Sequence, residues 1–262
     1  MNETGIAAIG IALIFLMTTA GSALVFFFKK DISAKVNAAF LGFASGVMVA
    51  ASVFGLLVPA MEQAENFGKF NWVPAAVGFL AGGAFLIVLD KIVPHAHEGG
   101  EHEHGVHAAL KKPTKMFLAV TIHNIPEGLA VGFAFGAALA GGEMSSVYAA
   151  LGLAIGIGIQ NFPEGAAVSL PMKNAMGSRS KAFWYGTASG AVEPIFALIG
   201  LFLAAFLSSA MPWLLSFAAG AMIFVVAEDL IPDAKLEKSP YIGGIGVMLG
   251  FTLMMILDVA LG

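Results

Sequence analysis

Eight apolar runs, each near the length that crosses a bilayer, take up almost the whole of this chain: residues 5–28, 36–59, 73–93, 116–140, 146–170, 182–208, 212–231 and 241–261. A helix needs about 20 residues to span roughly 30 Å of hydrocarbon, and inside lipid every backbone N–H and C=O must find its partner within the protein. The runs therefore predict an all-α integral membrane protein of eight transmembrane helices, with residues 1–262 forming a single membrane domain. Strands of a membrane barrel would alternate polar and apolar residues, which these runs do not. With 58% hydrophobic and 11% charged residues, against roughly 25% charged in an average soluble domain, a water-soluble fold and a disordered chain are both excluded. A net charge of −4 and the lack of any basic stripe exclude nucleic acid as a partner.

The first run contains Ala20-Gly21-Ser22-Ala23, which resembles a signal-peptide cleavage site. Its head carries Glu3 and no Lys or Arg, however, and the apolar stretch continues to Phe28 before Lys29-Lys30, so it is expected to stay as a membrane span. Basic residues near short loops stay on the cytoplasmic side. Placing both termini outside puts Lys29, Lys30, Lys35, Lys91, Lys111, Lys112, Lys115, Lys173, Arg179, Lys181, Lys235 and Lys238, twelve of the thirteen basic residues, inside. This predicts an inner or plasma membrane protein with extracytoplasmic termini. The one long hydrophilic loop, 94–115, then lies in the cytoplasm and holds His95, His97, His102, His104 and His107. Neutral imidazoles on such a tract can ligate transition metals, and a plain solvated linker is the alternative.

The fourth and fifth runs carry polar residues at membrane depth. His123-Asn124-Ile125-Pro126-Glu127-Gly128 and Gln160-Asn161-Phe162-Pro163-Glu164-Gly165 are one motif written twice. On a helix the residues at i and i+4 share a face, and i+1 meets i+4 on an adjoining one, so each Glu can serve two neighbouring positions. Pro126 and Pro163 lack an N–H and are expected to kink their helices, freeing the carbonyls of Ile122 and Ile159. Gly128 and Gly165 allow another helix to come close at the same level. Glu193-Pro194 in the sixth run adds a third carboxylate. A charged residue at a helix centre costs about 2.5 to 3.5 kcal/mol on insertion scales. These runs offer no Lys or Arg as a counter-charge, which leaves a divalent cation or protonation. The chain has no cysteine, so the donors must be nitrogen, oxygen or thioether; thiolate sites and Fe–S clusters are excluded, and the lack of thiolates argues against a Cu(I) carrier. Met48 in the second run is a thioether candidate that ordinary packing explains equally well.

These residues resemble the ZIP (Zrt/Irt-like) metal transporters, in their bacterial GufA-like branch, over essentially the full length. The resemblance implies that His123, Glu127, Gln160 and Glu164, with Met48, hold one metal of a binuclear centre. It implies that Asn124, Asn161 and Glu193, sharing Glu127 and Glu164, hold the other. Glu228-Asp229 before Pro232 resembles the family's acidic exit position, although both could equally be interfacial residues at a helix end. Glu62 and Glu65 fall in an outer turn, where they either gather cations or are simply solvated.

The expected function is import of a divalent transition metal, foremost Zn²⁺, with Fe²⁺, Mn²⁺ and Cd²⁺ suiting the same ligands. The direction is what the resemblance implies. Partners are divalent ions and the lipid bilayer, a homodimer being allowed but not required, and no prosthetic group is expected. A metal/proton antiporter that exports would need the same ligands. An intramembrane metalloprotease would want H-E-x-x-H and a di-iron oxidase Glu-x-x-His on two helices, and neither pattern is present in these spans. No phosphate-binding loop of the G-x-x-x-x-G-K-[ST] type points to direct ATP drive.

Overall fold

The computed structural model describes residues 2–28, 33–92, 95–96, 103–104, 112–234 and 240–261. Among them are eight helices long and apolar enough to cross a membrane: α1 (Glu3–Phe26), α2 (Ala34–Glu62), α3 (Trp72–Ile92), α4 (Phe117–Gly141), α5 (Met144–Met176), α6 (Arg179–Phe206), α7 (Ser208–Leu230) and α8 (Tyr241–Leu261). This is the expected all-α membrane architecture. Side chains set the starts: Asn2 Oδ1 accepts from Gly5 N at 3.0 Å ahead of α1, and Ser33 and Ser178 cap α2 and α6 in the same way. Gly142, at φ 71°, turns the chain between α4 and α5, so the two motif-bearing helices run antiparallel.

The helices associate as four parallel pairs, α1 with α5, α2 with α8, α3 with α7 and α4 with α6. Glycine makes each seam. A Cβ on Gly21 would fall 1.9 Å from the Phe162 carbonyl oxygen, one on Gly46 2.0 Å from that of Val247, one on Gly82 1.9 Å from that of Phe217, and one on Gly132 2.2 Å from that of Ala197. Lipid offers apolar side chains no gain from leaving water, so helices in it are held by close backbone packing of small residues.

Two departures from the sequence expectation concern the helices themselves, one at the end of α5 and one within α6. α5 runs to Met176, past the apolar run ending at 170, so Lys173 is not in a loop but inside the helix and buried. Protein neighbours cover this turn, which frees it from the need to be apolar. Pro126 and Pro163 lie within unbroken helical stretches, while wider π-type turns occupy Ala51–Leu57 of α2 and Val226–Leu230 of α7. α6 is interrupted at Ala191, and its second half begins at Val192 with Glu193 in the first turn. In the 94–115 loop a two-residue antiparallel ladder pairs His95 with His104 and Ala96 with Glu103. His97, His102 and His107 lie outside the described residues.

Candidate metal centre

The two motifs meet in the middle of the bundle. His123, Asn124 and Glu127 from α4 and Gln160, Asn161 and Glu164 from α5 are all buried, as is Glu193 from α6, none exceeding 6% exposure. Their helical spacing puts them on inward faces, and the close approach of α4 to α6 at Gly128, whose Cβ would fall 2.4 Å from the Glu193 carbonyl oxygen, brings the third carboxylate to the same level. Glu127, Glu164 and Glu193 lie within electrostatic range of one another.

The hydrogen bonds divide the group in two. Glu193 is held at both oxygens: Thr18 Oγ1 of α1 donates to Oε1 at 2.6 Å and Asn161 Nδ2 donates to Oε2 at 2.8 Å. The Asn161 amide also reaches the Ile14 carbonyl oxygen at 3.4 Å, and its own Oδ1 accepts from Gln160 Nε2. Asn124 Nδ2 donates to the Ser189 carbonyl oxygen at 3.0 Å. On the other side, Asn124 Oδ1, both oxygens of Glu127, Gln160 Oε1 and Glu164 Oε2 are buried and receive no hydrogen bond from the protein. Buried acceptors without donors are rare in folded proteins, because each forfeits its hydration. A set consisting only of acceptor oxygens, two of the residues being carboxylates, is matched by a cation. Among the described residues no three His, Cys, Asp or Glu side chains are gathered tightly enough to chelate an ion by themselves.

His123 Nε2 sits 2.9 Å from Asp229 Oδ2. The π-type turn of α7 accounts for this reach: the extra residue turns Asp229 inward and buried while Glu228, its neighbour, faces out and is exposed. The sequence pair Glu228-Asp229 is thus split, and only Asp229 adjoins the centre. Met48 is fully buried in the packing of α2. Thr18 carried no signal in the sequence, since a threonine in an apolar run ordinarily bonds its own helix, as its 3.3 Å contact to the Ile14 carbonyl oxygen also shows.

Access differs on the two sides. On the face where the chain ends lie, a cleft of about 330 Å³ is walled by α2, α4, α5, α7 and α8 and carries Glu62 and Asp258. Its deepest α5 residue, Leu153, is seven residues from Gln160, about 10 Å along a helix. Leu153, Ile157 and Val131 fill that interval and are closed to solvent. Toward the other face His123, Glu164 and Asp229 each keep 6% exposure, whereas Glu127 and Gln160 keep none.

Comparison with known proteins places the whole chain in a family. The ZIP Zinc transporter family profile matches residues 4–116 and 114–258. Zinc transporter ZIP11 of Xenopus tropicalis is 38% identical, the match covering 97% of this chain and 96% of the relative. Zinc transporter ZIPB of Bordetella bronchiseptica is 36% identical over 99% of this chain and 82% of its own length, and Zinc transporter GufA of Myxococcus xanthus is 34% identical over 89% and 90%. These relatives are transporters, not enzymes. A multi-pass helical bundle with a repeated His/Gln-Asn-x-Pro-Glu-Gly motif at its centre, matched along nearly its entire length, belongs to the ZIP zinc transporter family.

Proposed function

We propose that this chain imports divalent transition metal ions, Zn²⁺ foremost, into the cytoplasm along a path between α4 and α5. The observation that carries the reading is the set of buried oxygens on Asn124, Glu127, Gln160 and Glu164 that receive no hydrogen bond from the protein. In this reading both termini face outward and the cleft holding Glu62 and Asp258 is the outer mouth. An ion sheds water there and exchanges onto Glu127 and Gln160. It then passes to Glu164 and His123, and leaves past Asp229 toward the histidines of the 94–115 loop.

Neutral amides among the donors keep binding weak enough for release, which any conducting pathway requires. Imidazole, carboxylate and amide ligands also suit Fe²⁺, Mn²⁺ and Cd²⁺, so selectivity rests on geometry and supply rather than on affinity order. The packed outer interval and the residual exposure on the inner side correspond to an inward-facing state, and the opposite state requires helix groups to rock against each other.

The test is Zn²⁺ uptake into sealed proteoliposomes, read by a trapped metal-sensitive dye. Saturable flux is expected from the wild type and none from Glu164→Ala. Extrusion rather than uptake in vesicles of known orientation would refute import, and equal flux in the variant would remove the proposed path.

A further inference from the structure

We propose that Thr18 is a positioning residue of this centre. With the Asn161 amide it holds Glu193 in a hydrogen-bonded clasp, so that the centre takes a single divalent ion on its α4–α5 donors and Glu193 forms a wall of the site rather than a ligand. The inference rests on the metal-transport reading above and departs from the two-ion arrangement expected from family resemblance.

The first argument is the orientation of the Asn161 amide. Its Nδ2 faces two groups that can only accept, Glu193 Oε2 at 2.8 Å and the Ile14 carbonyl oxygen at 3.4 Å. Turning the amide over would set its oxygen against both acceptors and its nitrogen against Gln160 Nε2, a donor. The Glu193 and Ile14 contacts would become repulsive, whereas Gln160 could answer by turning its own amide, so the two acceptors fix the orientation of Asn161. The face that Asn161 presents to Glu193 is therefore an N–H, the opposite of what a shared cation would need.

The second argument is that each oxygen of Glu193 has a donor. Thr18 donates to one oxygen and Asn161 to the other, whereas Glu127, at equal burial, has the amides of Gln160 and Asn161 nearby but none in hydrogen-bonding geometry with either oxygen. Hydrogen bonds to a buried carboxylate are among the stronger ones, and these two hold Glu193 in the direction of Thr18 and Asn161.

The third is that the clasp is seated by backbone. Each motif glycine packs on a clasp residue: a Cβ on Gly165 would fall 2.2 Å from the Thr18 carbonyl oxygen, and one on Gly128 2.4 Å from the Glu193 carbonyl oxygen. Gly190 closes the remaining side, its Cβ position lying 2.7 Å from Thr18 Cγ2. Neither residue can shift without separating a helix pair. The repeated motif thus supplies ion donors on its polar face and, through its glycines, holds the neighbouring helices that carry Thr18 and Glu193.

The test counts zinc bound per chain by equilibrium dialysis and metal analysis. It uses the purified full chain in which the five loop histidines are replaced by Asn, so that loop binding does not contribute. A single ion is expected. Asn161→Asp puts a carboxylate opposite Glu193 where an N–H stood, so that the pair takes either a shared proton or a cation, and with zinc in excess above neutral pH the count is expected to rise to two.

If that variant fails to insert, Thr18→Val decides. Freed at Oε1, Glu193 can join the bound ion, so both KM and maximal flux for Zn²⁺ should fall by roughly threefold, and Thr18→Ser should restore both. Two ions in the parent chain, an unchanged count in Asn161→Asp, or an unchanged or higher KM in Thr18→Val would each overturn the clasp. Absence of both zinc binding and zinc flux in the wild type would instead bring down the metal-transport reading beneath it.

Discussion

The α4 and α5 copies of the motif are nearly identical as text and differently placed as structure. In α4 the residue at the first position, His123, keeps slight exposure and contacts Asp229, while Glu127 four residues on is sealed. In α5 the order is reversed: Gln160 is sealed and Glu164 keeps slight exposure. The antiparallel turn at Gly142 explains it, since the same i to i+4 step climbs toward one membrane face in α4 and toward the other in α5. A repeated motif in antiparallel helices therefore does not make two equal sites. It makes one graded site, with Gln160 and Glu127 at the end nearer the cleft and Glu164, His123 and Asp229 at the other.

The largest expected effect comes from removing one end outright. Glu127→Ala deletes two donorless oxygens from the cleft side and His123→Ala deletes the only imidazole of the centre, and zinc uptake in either should drop to the level of empty vesicles while the protein still inserts. Activity retained by one of the two would mean that the gradient has a dispensable end.

A smaller effect is expected from erasing the difference between the copies. Gln160→His puts imidazole at both ends, so zinc should bind roughly tenfold tighter, about 1.4 kcal/mol, and leave more slowly. Binding by calorimetry alongside flux measures this, and unchanged affinity would show that Gln160 does not face the ion.

The smallest effect separates the neighbours on α7. Asp229→Asn disturbs the contact to His123 and should slow uptake, whereas Glu228→Gln changes an exposed side chain and should stay within about twofold of wild type. The reverse order would mean that the exposed carboxylate, not the buried one, serves the inner end.

Much of this was legible in the chain. Apolar runs gave the helices to within a few residues, because lipid imposes one length and one polarity on every span. The motif residues stood out because polar groups are scarce where hydrocarbon is expected. Three things were hidden for physical reasons. The end of α5 passed beyond its apolar run because Lys173 is covered by protein, so polarity there no longer reports membrane depth. The inward turn of Asp229 depends on one extra residue in a π-type turn, which leaves no pattern in hydropathy. Thr18 acts across helices, and nothing local to α1 shows which helix it will meet.

The glycine seams also set the mechanics of the bundle. Where backbones touch with no side chain between them, a helix pair has little left to compress or repack, and each pair moves as a stiff strut. The pairs α1–α5 and α4–α6 carry Thr18, His123, Asn124, Glu127, Gln160, Asn161, Glu164 and Glu193 between them, while Asp229 belongs to the pair α3–α7. A shear of these two struts together against α3–α7 would slide the donor set past Asp229, whereas a shear between α1–α5 and α4–α6 would part the donors of α4 from those of α5. Softness in such a molecule resides in the boundaries between struts, and the place between α4 and α5 where the ion binds is one of those boundaries.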